Sequence, residues 1–216
     1  MTAARRRARA ASSSDRRDAI LAAATDVFAD RGFPAAQVAD IARHAGLAAG
    51  TVYLYFKGKD DLLKSIFDRA LRDALEDGRA LLSEVADPAA RLRRFAERHL
   101  ARLAQNRALA IVLLVEVRPS AKFAAGFSST RLREYVGLIR DTIALGQARG
   151  DFRADVSPGL CARMLIGALD EMATSWILTD RPDTLETDAA TVVDLFVRGI
   201  QRQPASRGAI LKTGRG

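Results

Sequence analysis

The apolar residues of this 216-residue chain recur mainly at intervals of three and four positions. This spacing places them on one face of a helix, whereas half-buried strands alternate apolar and polar residues at intervals of two. Alanine and leucine also dominate over the β-branched residues that strands favour. We therefore predict an all-α protein of about nine helices.

The first part of the pattern predicts a small module of three helices. The first covers residues 15–31, the second ends at Gly46, and the third opens at Gly50 after a short connection. Glycine ends helices readily because it adopts left-handed backbone conformations. A longer helix beginning at Lys59 links this front module, residues 15–60, to the rest of the chain.

The remaining pattern predicts a larger helical bundle. One amphipathic helix follows a break at Pro88, residues 108–117 are apolar almost all round, and a long helix covers residues 130–148. A helix that is apolar on all sides belongs in the middle of a bundle. The last two helices, the first of which begins at Pro158, have wider apolar faces than one core contact needs.

The positive charge of the chain lies at its two ends. The formal net charge is +8; residues 1–17 hold six arginines and one aspartate, and residues 202–216 hold four basic residues and no acidic one. Both ends are rich in small residues, which favours disorder, and a basic arm attracts a polyanion. The predicted organisation is a disordered basic arm over 1–14, the front module over 15–60, the bundle over 61–203 and a disordered basic tail over 204–216.

The composition is that of a globular protein. An apolar fraction of 49% supplies a substantial core. The longest unbroken apolar stretch covers residues 108–115, far below the roughly 18 residues of a spanning helix. The single cysteine, Cys161, suits a reducing compartment. We predict a cytoplasmic protein that does not cross a membrane.

No set of residues in the sequence indicates catalysis. Glu97 and His99 lie two positions apart, so they do not share a helix face, and no nearby third ligand completes a zinc site. The sequence also contains no glycine-rich phosphate loop or nucleophile motif. We predict a protein without catalytic residues, metal ion or cofactor.

A short helix, a tight turn and a second short helix form the helix-turn-helix arrangement, whose second helix enters the major groove of DNA. The segment VADIARHAGLAAGTVYLYFKGKDDLL resembles the DNA-binding signature of TetR-family transcription regulators. The resemblance implies that Thr51, Tyr53 and Tyr55 face DNA and that Lys59 binds a phosphate. The alternatives are core packing for the tyrosines and a solvated helix cap for Lys59.

Further residues of the front module extend the predicted DNA-binding surface. His44 either touches the DNA backbone or lies at the surface, and Gln37 and Ala48 stand where many relatives carry other polar or basic residues. The basic arm, together with Arg16 and Arg17 at the start of the first helix, can compensate for the lost phosphate contacts. The predicted DNA-binding residues are Arg16, Arg17, Gln37, Val38, His44, Ala48, Gly50, Thr51, Tyr53, Tyr55 and Lys59.

The same resemblance implies a homodimer in which the last two helices pair with their copies in a second subunit. A two-fold dimer places two recognition helices about one turn of DNA apart, roughly 34–36 Å, and predicts a palindromic operator. The predicted interface residues are Met164, Leu169, Met172, Val193, Phe196 and Ile200. The alternative for the stripe of Met164, Leu169, Met172 and Trp176 is ordinary core packing.

The segments VEVRPSAKFAAGFSSTRLREYVGLIRD and GALDEMATSWILTDR resemble the ligand domain of the FadR-type subgroup, repressors that long-chain acyl-CoA releases from DNA. An acyl chain needs an apolar tunnel and a CoA head needs cations. The predicted ligand-binding residues are Leu109, Leu113, Arg118, Lys122, Phe123, Phe127, Arg131, Arg133, Leu138 and Trp176. The alternative for the four cations is ion pairing with Glu116, Glu134 and Asp141.

We therefore predict a ligand-responsive repressor that binds operator DNA as a homodimer and responds to a lipophilic effector, long-chain acyl-CoA. A regulator that senses hydrophobic or cationic drugs is the alternative within the same class. From a different class, a lipid-carrying bundle with weak, non-specific DNA binding is the second alternative.

Overall fold

The computed structural model describes residues 3–117, 130–179 and 185–202, with side chains from residue 13 onward except at 186 and 187. Helices form nearly all of these residues, and the strand pairing among them is one isolated bridge. The predicted all-α fold is confirmed. The described helices are α1 (Ala3–Ala35), α2 (Val38–His44), α3 (Ala49–Tyr53), α4 (Lys59–Ser83), α5 (Pro88–Gln105), α6 (Arg107–Ile111), α7 (Thr130–Arg149), α8 (Pro158–Thr179) and α9 (Leu185–Ile200).

Helix α1 begins far earlier than predicted. The expectation of a disordered arm over residues 1–14 is wrong for residues 3–14, which continue α1 without a break. Alanine and arginine dominate this segment, and both are strong helix formers. At the other end Gly32 adopts φ 73° and ψ 153°, so the regular helix stops there as predicted and the last turn to Ala35 changes direction.

The front module has its own apolar core. Phe28 of α1, Ile41 of α2 and Val52 of α3 are at most 1% exposed and pack together beneath the start of α4. The turn after α2 contains Gly46, whose φ of 68° favours glycine. Helix α3 begins at Ala49, one residue earlier than predicted. These contacts hold α3 as a short, rigid element on the surface of the module.

Helix α4 connects the front module to the bundle. It begins at Lys59, as predicted, and packs against α1, α5 and α7. A Cβ atom at Gly78 would lie 2.8 Å from Cδ1 of Leu138, so the glycine lets α4 and α7 approach closely. The next helix, α5, is capped by Asp87, whose carboxylate accepts from the backbone N–H of Ala90 at 2.7 Å.

The segment predicted as one buried helix over residues 108–117 is divided in the structure. Helix α6 ends at Ile111, and Val112–Val117 forms a π-helical turn. Such turns are rare and occur frequently at functional sites. Both α6 and the π-helical turn pack against α1, so this segment joins the bundle to the front module. The predicted end at Pro119 lies outside the described residues.

The last three helices complete the bundle. Helix α7 packs along α8, and α9 lies on α5. The start of α8 at Pro158 is as predicted. The backbone N–H of Arg153 donates to the carbonyl of Ile200 at 2.8 Å, and that of Arg202 donates to the carbonyl of Asp151 at 3.1 Å. These bonds fasten the end of α9 to the loop between α7 and α8. The predicted tail over 204–216 lies outside the described residues.

Candidate DNA-binding surface and ligand cavity

The outer face of α3 carries side chains that can reach DNA. Buried Val52 anchors the helix, whereas Tyr53 is 57% exposed and open space surrounds Gly50. Thr51 and Tyr55 are half-buried, and Tyr55 packs partly against the core. Core packing therefore accounts for part of Tyr55 but leaves Tyr53 on the surface.

Residues at the starts of α2 and α3 border this face. Gln37 and Ala48 are exposed, and each stands immediately before its helix in extended backbone. Val38 is half-buried and packs against the core. Leu54, which we did not predict, is 81% exposed directly after Tyr53. This exposure is seen only in the structure.

The ammonium of Lys59 binds the end of α1. Its Nζ donates to the carbonyl oxygens of Phe33 at 2.9 Å and Pro34 at 3.0 Å, and it lies 5.0 Å from the centre of the Phe33 ring. The role of Lys59 as a phosphate ligand stays a prediction, because these two contacts leave the third N–H of the ammonium available. Two carbonyls at a helix end carry partial negative charge that attracts the cation, and in the structure Lys59 fastens α4 to α1.

The cations on the first half of the front module differ in their surroundings. Arg16 is exposed. Arg17 lies over the ring of Phe56, 5.0 Å from its centre, and donates to the hydroxyl of Ser65 at 3.3 Å. His44 is exposed, and its Nε2 lies 3.2 Å from the carboxylate of Asp26. Both Arg16 and Arg17 therefore remain exposed to solvent.

Glu116 links the π-helical turn to the kink in α1. Its Oε2 accepts from the backbone N–H of Phe33 at 2.8 Å, immediately after the left-handed Gly32. The sequence analysis assigned Glu116 only as an ion-pair partner of nearby arginines. Among the described residues, Glu116 instead contacts a backbone group 83 residues away, which no local pattern indicates.

A cavity of about 290 Å³ lies inside the bundle. Four helices and the π-helical turn enclose it, and Leu109 and Leu113 of the predicted ligand-binding set contribute to its wall. We call this the bundle cavity. Its apolar wall is formed by Phe67, Ala70, Leu71, Ala74, Leu103, Leu109 and Leu113.

Part of the wall of the bundle cavity is polar, and we call this part the polar end; its residues are Arg98, His99, Arg102, Gln105, Asn106 and Tyr135. Arg98 binds Asp77 with two hydrogen bonds, one of them 3.0 Å long, and this contact holds the pKa of Asp77 below its usual value. His99 lies between the hydroxyl of Tyr135, 2.9 Å from Nδ1, and the carboxylate of Asp170, 3.0 Å from Nε2. Burial, followed by the charge of Asp170, raises the pKa of Tyr135 well above its usual value.

The polar end contains residues that the sequence analysis did not assign to the ligand site. His99 was considered only as a zinc ligand with Glu97, because both are on one helix. Its partners Tyr135 and Asp170 lie 36 and 71 residues away on α7 and α8. Only the packing of three helices brings this trio together.

A second cavity, of about 570 Å³, lies between α1, α4 and α6. We call it the inter-module cavity because α1 belongs to the front module. Its wall shares four residues with the bundle cavity: Ala70, Arg102, Asn106 and Leu109. The two spaces therefore adjoin at these residues.

The other described residues of the predicted ligand-binding set, Arg131, Arg133, Leu138 and Trp176, are not in the wall of the bundle cavity. Arg131 pairs with Asp68 at 3.6 Å, not with the acidic residues suggested by sequence proximity, and Arg133 is exposed. Leu138 packs against Gly78, and Trp176 lines a different cavity between α8 and α9. These placements follow from the rotation of α7 and α8 about their axes. Arg118, Lys122, Phe123 and Phe127 lie outside the described residues.

The predicted dimer residues divide into two groups. Leu169, Val193 and Ile200 are at most 6% exposed within one chain, so the assignment of these three to an intermolecular surface is wrong and they belong to the core. Met172 and Phe196 are half-buried, and Met164 is 58% exposed. Three further apolar residues that we did not predict are exposed on the same two helices: Leu160, Leu178 and Leu195.

A cavity of about 960 Å³ adjoins this apolar surface. Met172 and Trp176 of α8 and Val192 of α9 line it, and Arg107 lies over the Trp176 ring at 5.5 Å. Core packing therefore explains only part of the stripe formed by Met164, Leu169, Met172 and Trp176.

Other chemistry is limited in the part of the chain that the structure describes. No group of three or more His, Cys, Asp or Glu residues there could hold a metal ion. Cys161 is buried, and burial raises the pKa of its thiol. Among the described helices, none combines the length and apolar character needed to span a membrane.

An exposed recognition helix, joined by one long helix to a bundle that encloses a cavity, defines a ligand-responsive transcription regulator of the helix-turn-helix class. Two families match the chain. The tetR family of bacterial regulatory proteins matches residues 20–66, and the C-terminal region of YsiA-like proteins matches residues 67–199. The chain belongs to the tetR family and has a YsiA-like C-terminal region.

Individual relatives agree with this assignment over almost their full length. The fatty acid metabolism regulator protein of Bacillus subtilis is 31% identical over 85% of this chain and 95% of its own. FadR of Bacillus halodurans, a fatty acid degradation regulator, superposes with a TM-score of 0.81 at 31% identity, covering 87% of this chain and 97% of that one. FadR of Bacillus subtilis in complex with stearoyl-CoA has a TM-score of 0.79 at 30% identity, covering 85% and 98%.

Proposed function

We propose that this protein is a cytoplasmic repressor of fatty-acid degradation genes, which binds a palindromic operator as a homodimer and is released by long-chain acyl-CoA. The observation that carries the proposal is the bundle cavity, which has an apolar wall and a polar end containing Arg98 and Arg102. An acyl chain requires the first feature and its polar head the second. The relatives named above act on fatty acid metabolism, and one was solved with stearoyl-CoA.

The front module supports the DNA-binding part of the proposal. Tyr53 and Leu54 are exposed on and just after α3, and Gly50 leaves room for close approach of a phosphate. Base contacts from such side chains supply sequence discrimination, whereas cations such as Arg16 supply affinity that depends on salt.

The exposed apolar face of α8 and α9 supports the homodimer. Leu160, Met164 and Leu178 lie along α8, and Leu195 lies on α9, each with 49% or more of its surface exposed. Monomeric proteins rarely expose a large contiguous apolar patch. A second copy of the chain, related by two-fold symmetry, would cover this face with the same residues.

Two connections support communication between cavity and DNA. Helix α4 lines the bundle cavity through Phe67 and begins in the front module at Lys59, which holds the end of α1. The π-helical turn lines the cavity through Leu113 and holds the kink of α1 through Glu116. An effector need only bind better to the arrangement in which the recognition helices do not fit DNA. A coupling free energy of about 1–3 kcal/mol is typical.

The proposal is tested with the protein bound to the promoter of its own gene. Palmitoyl-CoA, palmitate and CoA are added separately, and operator occupancy is measured by fluorescence anisotropy. We expect palmitoyl-CoA alone to release the DNA at low concentration. If none of the three changes occupancy, the acyl-CoA assignment is wrong. Release only by cationic hydrophobic drugs would indicate the drug-sensing alternative, although the cations at the polar end oppose it.

A further inference from the structure

Arg102 occupies the boundary between the bundle cavity and the inter-module cavity. It contributes to the walls of both, and its side chain is 26% exposed. Its Nη1 lies 3.5 Å from the carboxylate of Asp77 and 3.5 Å from the backbone carbonyl of Asp73. Both distances are at the long limit for a hydrogen bond, so α4 holds this guanidinium loosely.

Arg98, one helical turn earlier on α5, provides a direct comparison. It binds both carboxylate oxygens of Asp77, with a 3.0 Å bond from Nη2 and a shorter one from Nε. The charge of Asp77 is therefore already matched by Arg98. Because of this pairing, Arg102 can leave Asp77 without stranding an unpaired carboxylate, which would be the costly event.

The neighbouring polar groups are already engaged with one another. Both ring nitrogens of His99 have partners, since Nδ1 lies 2.9 Å from the hydroxyl of Tyr135 and Nε2 lies 3.0 Å from the carboxylate of Asp170. The hydroxyl of Tyr135 is thus engaged with His99. Arg102, with five N–H donors and two long contacts, is the better placed donor for a ligand oxygen in this wall.

We propose that Arg102 recognises the acyl carbonyl of the effector, by donating hydrogen bonds to the thioester oxygen in place of its contacts with α4. This inference rests on the proposed function and adds to it the residue that separates an acyl thioester from a plain alkyl chain. The apolar part of the bundle cavity, whose wall includes Leu103 and Leu109, takes the chain next to the carbonyl.

The same movement affects the helix that leads to DNA. When Arg102 turns to the ligand, its contact with the Asp73 carbonyl is lost, and α4 loses one of its connections to α5. The thioester oxygen of the ligand and the backbone carbonyl of Asp73 thus compete for the guanidinium of Arg102. Ligands that lack this oxygen fill the cavity without removing the contact.

The test compares palmitoyl-CoA with S-hexadecyl-CoA, a thioether with the same head and chain length but no carbonyl oxygen. Binding of each is measured by calorimetry to the full-length wild type and to Arg102→Gln. We expect the wild type to prefer the thioester by about tenfold, the ratio that one charge-assisted hydrogen bond supplies, and R102Q to bind both equally. The thioester is also expected to lose DNA-releasing power in R102Q.

Two further variants make the result specific. Arg94→Gln removes an exposed arginine on the same helix, paired with Glu97 at 3.7 Å, and is expected to keep the wild-type preference. Arg102→Lys retains the charge and is expected to keep part of the preference for the thioester. Equal binding of thioester and thioether to the wild type, with DNA release by palmitoyl-CoA intact, overturns this inference alone. A wild type that binds neither ligand overturns the proposed function as well.

Discussion

At the scale of single residues, a few side chains decide how the front module is attached. Lys59 donates to two carbonyls at the end of α1, and Glu116 accepts from the N–H of Phe33 in the same turn. The kink at Gly32 is thereby held from both sides, by a cation of α4 and an anion of the π-helical turn. These contacts connect both elements to the turn that precedes α2.

Replacing Glu116 by alanine is expected to loosen this attachment. A hydrogen bond to a charged acceptor contributes about 1.5–3 kcal/mol, so the free energy of unfolding should fall by about 1.5 kcal/mol, as measured by urea denaturation. The variant should also show weaker release of operator DNA by palmitoyl-CoA. Glu97→Ala, which removes an exposed carboxylate, serves as the control. Unchanged stability and release in E116A would show that the bond carries no coupling.

A second prediction at this scale concerns pH. The hydrogen bonds from Arg98 lower the pKa of Asp77 below 3.8, so the charged carboxylate stabilises the folded state above that pH. This contribution is lost as the pH falls through the lowered pKa. Because the pair is partly exposed, we expect Asp77→Asn to cost only about 1 kcal/mol at pH 7.

The measurement is the free energy of unfolding of wild type and D77N between pH 7 and pH 3. The difference should shrink below pH 3.8, because a protonated aspartic acid resembles asparagine. Asp155→Asn is the matched control, since Asp155 also pairs with an arginine but is well exposed, and it should change stability little. A difference between wild type and D77N that grows toward low pH would contradict the assignment.

At the scale of elements, α1 contributes both to the core of the front module and to its set of basic residues. Its second half packs into the front module through Phe28, while its first half extends to Ala3 and contains the arginines that precede residue 15. A regular helix presents basic residues at fixed spacing, whereas a disordered arm does not. The position of Arg16 and Arg17 relative to DNA therefore depends on the direction of the α1 axis relative to the front module.

Deleting residues 1–13 is expected to weaken operator binding mainly through electrostatics. Each phosphate neutralised contributes about −0.9 to the slope of log affinity against log salt, so a shallower slope should follow the loss of the four arginines in this segment. Operator affinity is measured between 50 and 200 mM salt, a range over which such slopes are resolved. Scrambled DNA supplies the comparison, since phosphate contacts act equally on both. An unchanged slope would rule out contacts from this half of α1.

At the scale of the whole molecule, the bundle divides its apolar surface between an internal core and an outer face. Leu169 and Val193 point inward on α8 and α9, whereas Met164 and Leu195 of the same helices point outward. A dimer of the proposed kind uses only the outer set. The spacing of the two recognition helices, and hence operator recognition, follows from how this outer face pairs.

Placing a carboxylate on the outer face is expected to separate the subunits. Met164→Glu should give the mass of a single chain in light scattering and should lose high affinity for a palindrome, because an unpaired charge at an interface opposes association. Leu132→Glu introduces the same group at an apolar residue of α7 that is 39% exposed, and should leave the mass unchanged. An M164E protein that stays dimeric would place the interface elsewhere.

Local patterning by itself predicts much of this protein. The all-α class, the starts of α4 and α8 at Lys59 and Pro158, and the stop of α1 at Gly32 all follow from helical periodicity, proline and glycine. The helix-turn-helix motif is equally local, because its residues are close in sequence. Family membership was predictable for the same reason, since the motif that carries it is contiguous.

Tertiary structure decides which faces meet and which polar groups find each other. The outward and inward halves of α8 cannot be separated by periodicity when apolar residues surround the helix, so Leu169 and Met164 were assigned alike. Several contacts join parts of the chain that are distant in sequence. His99 pairs with Tyr135 and Asp170, and Glu116 pairs with Phe33. Arg102 likewise lies between two cavities. Sequence spacing determines the period of a helix, but the rotation of each helix against its neighbours is determined by packing.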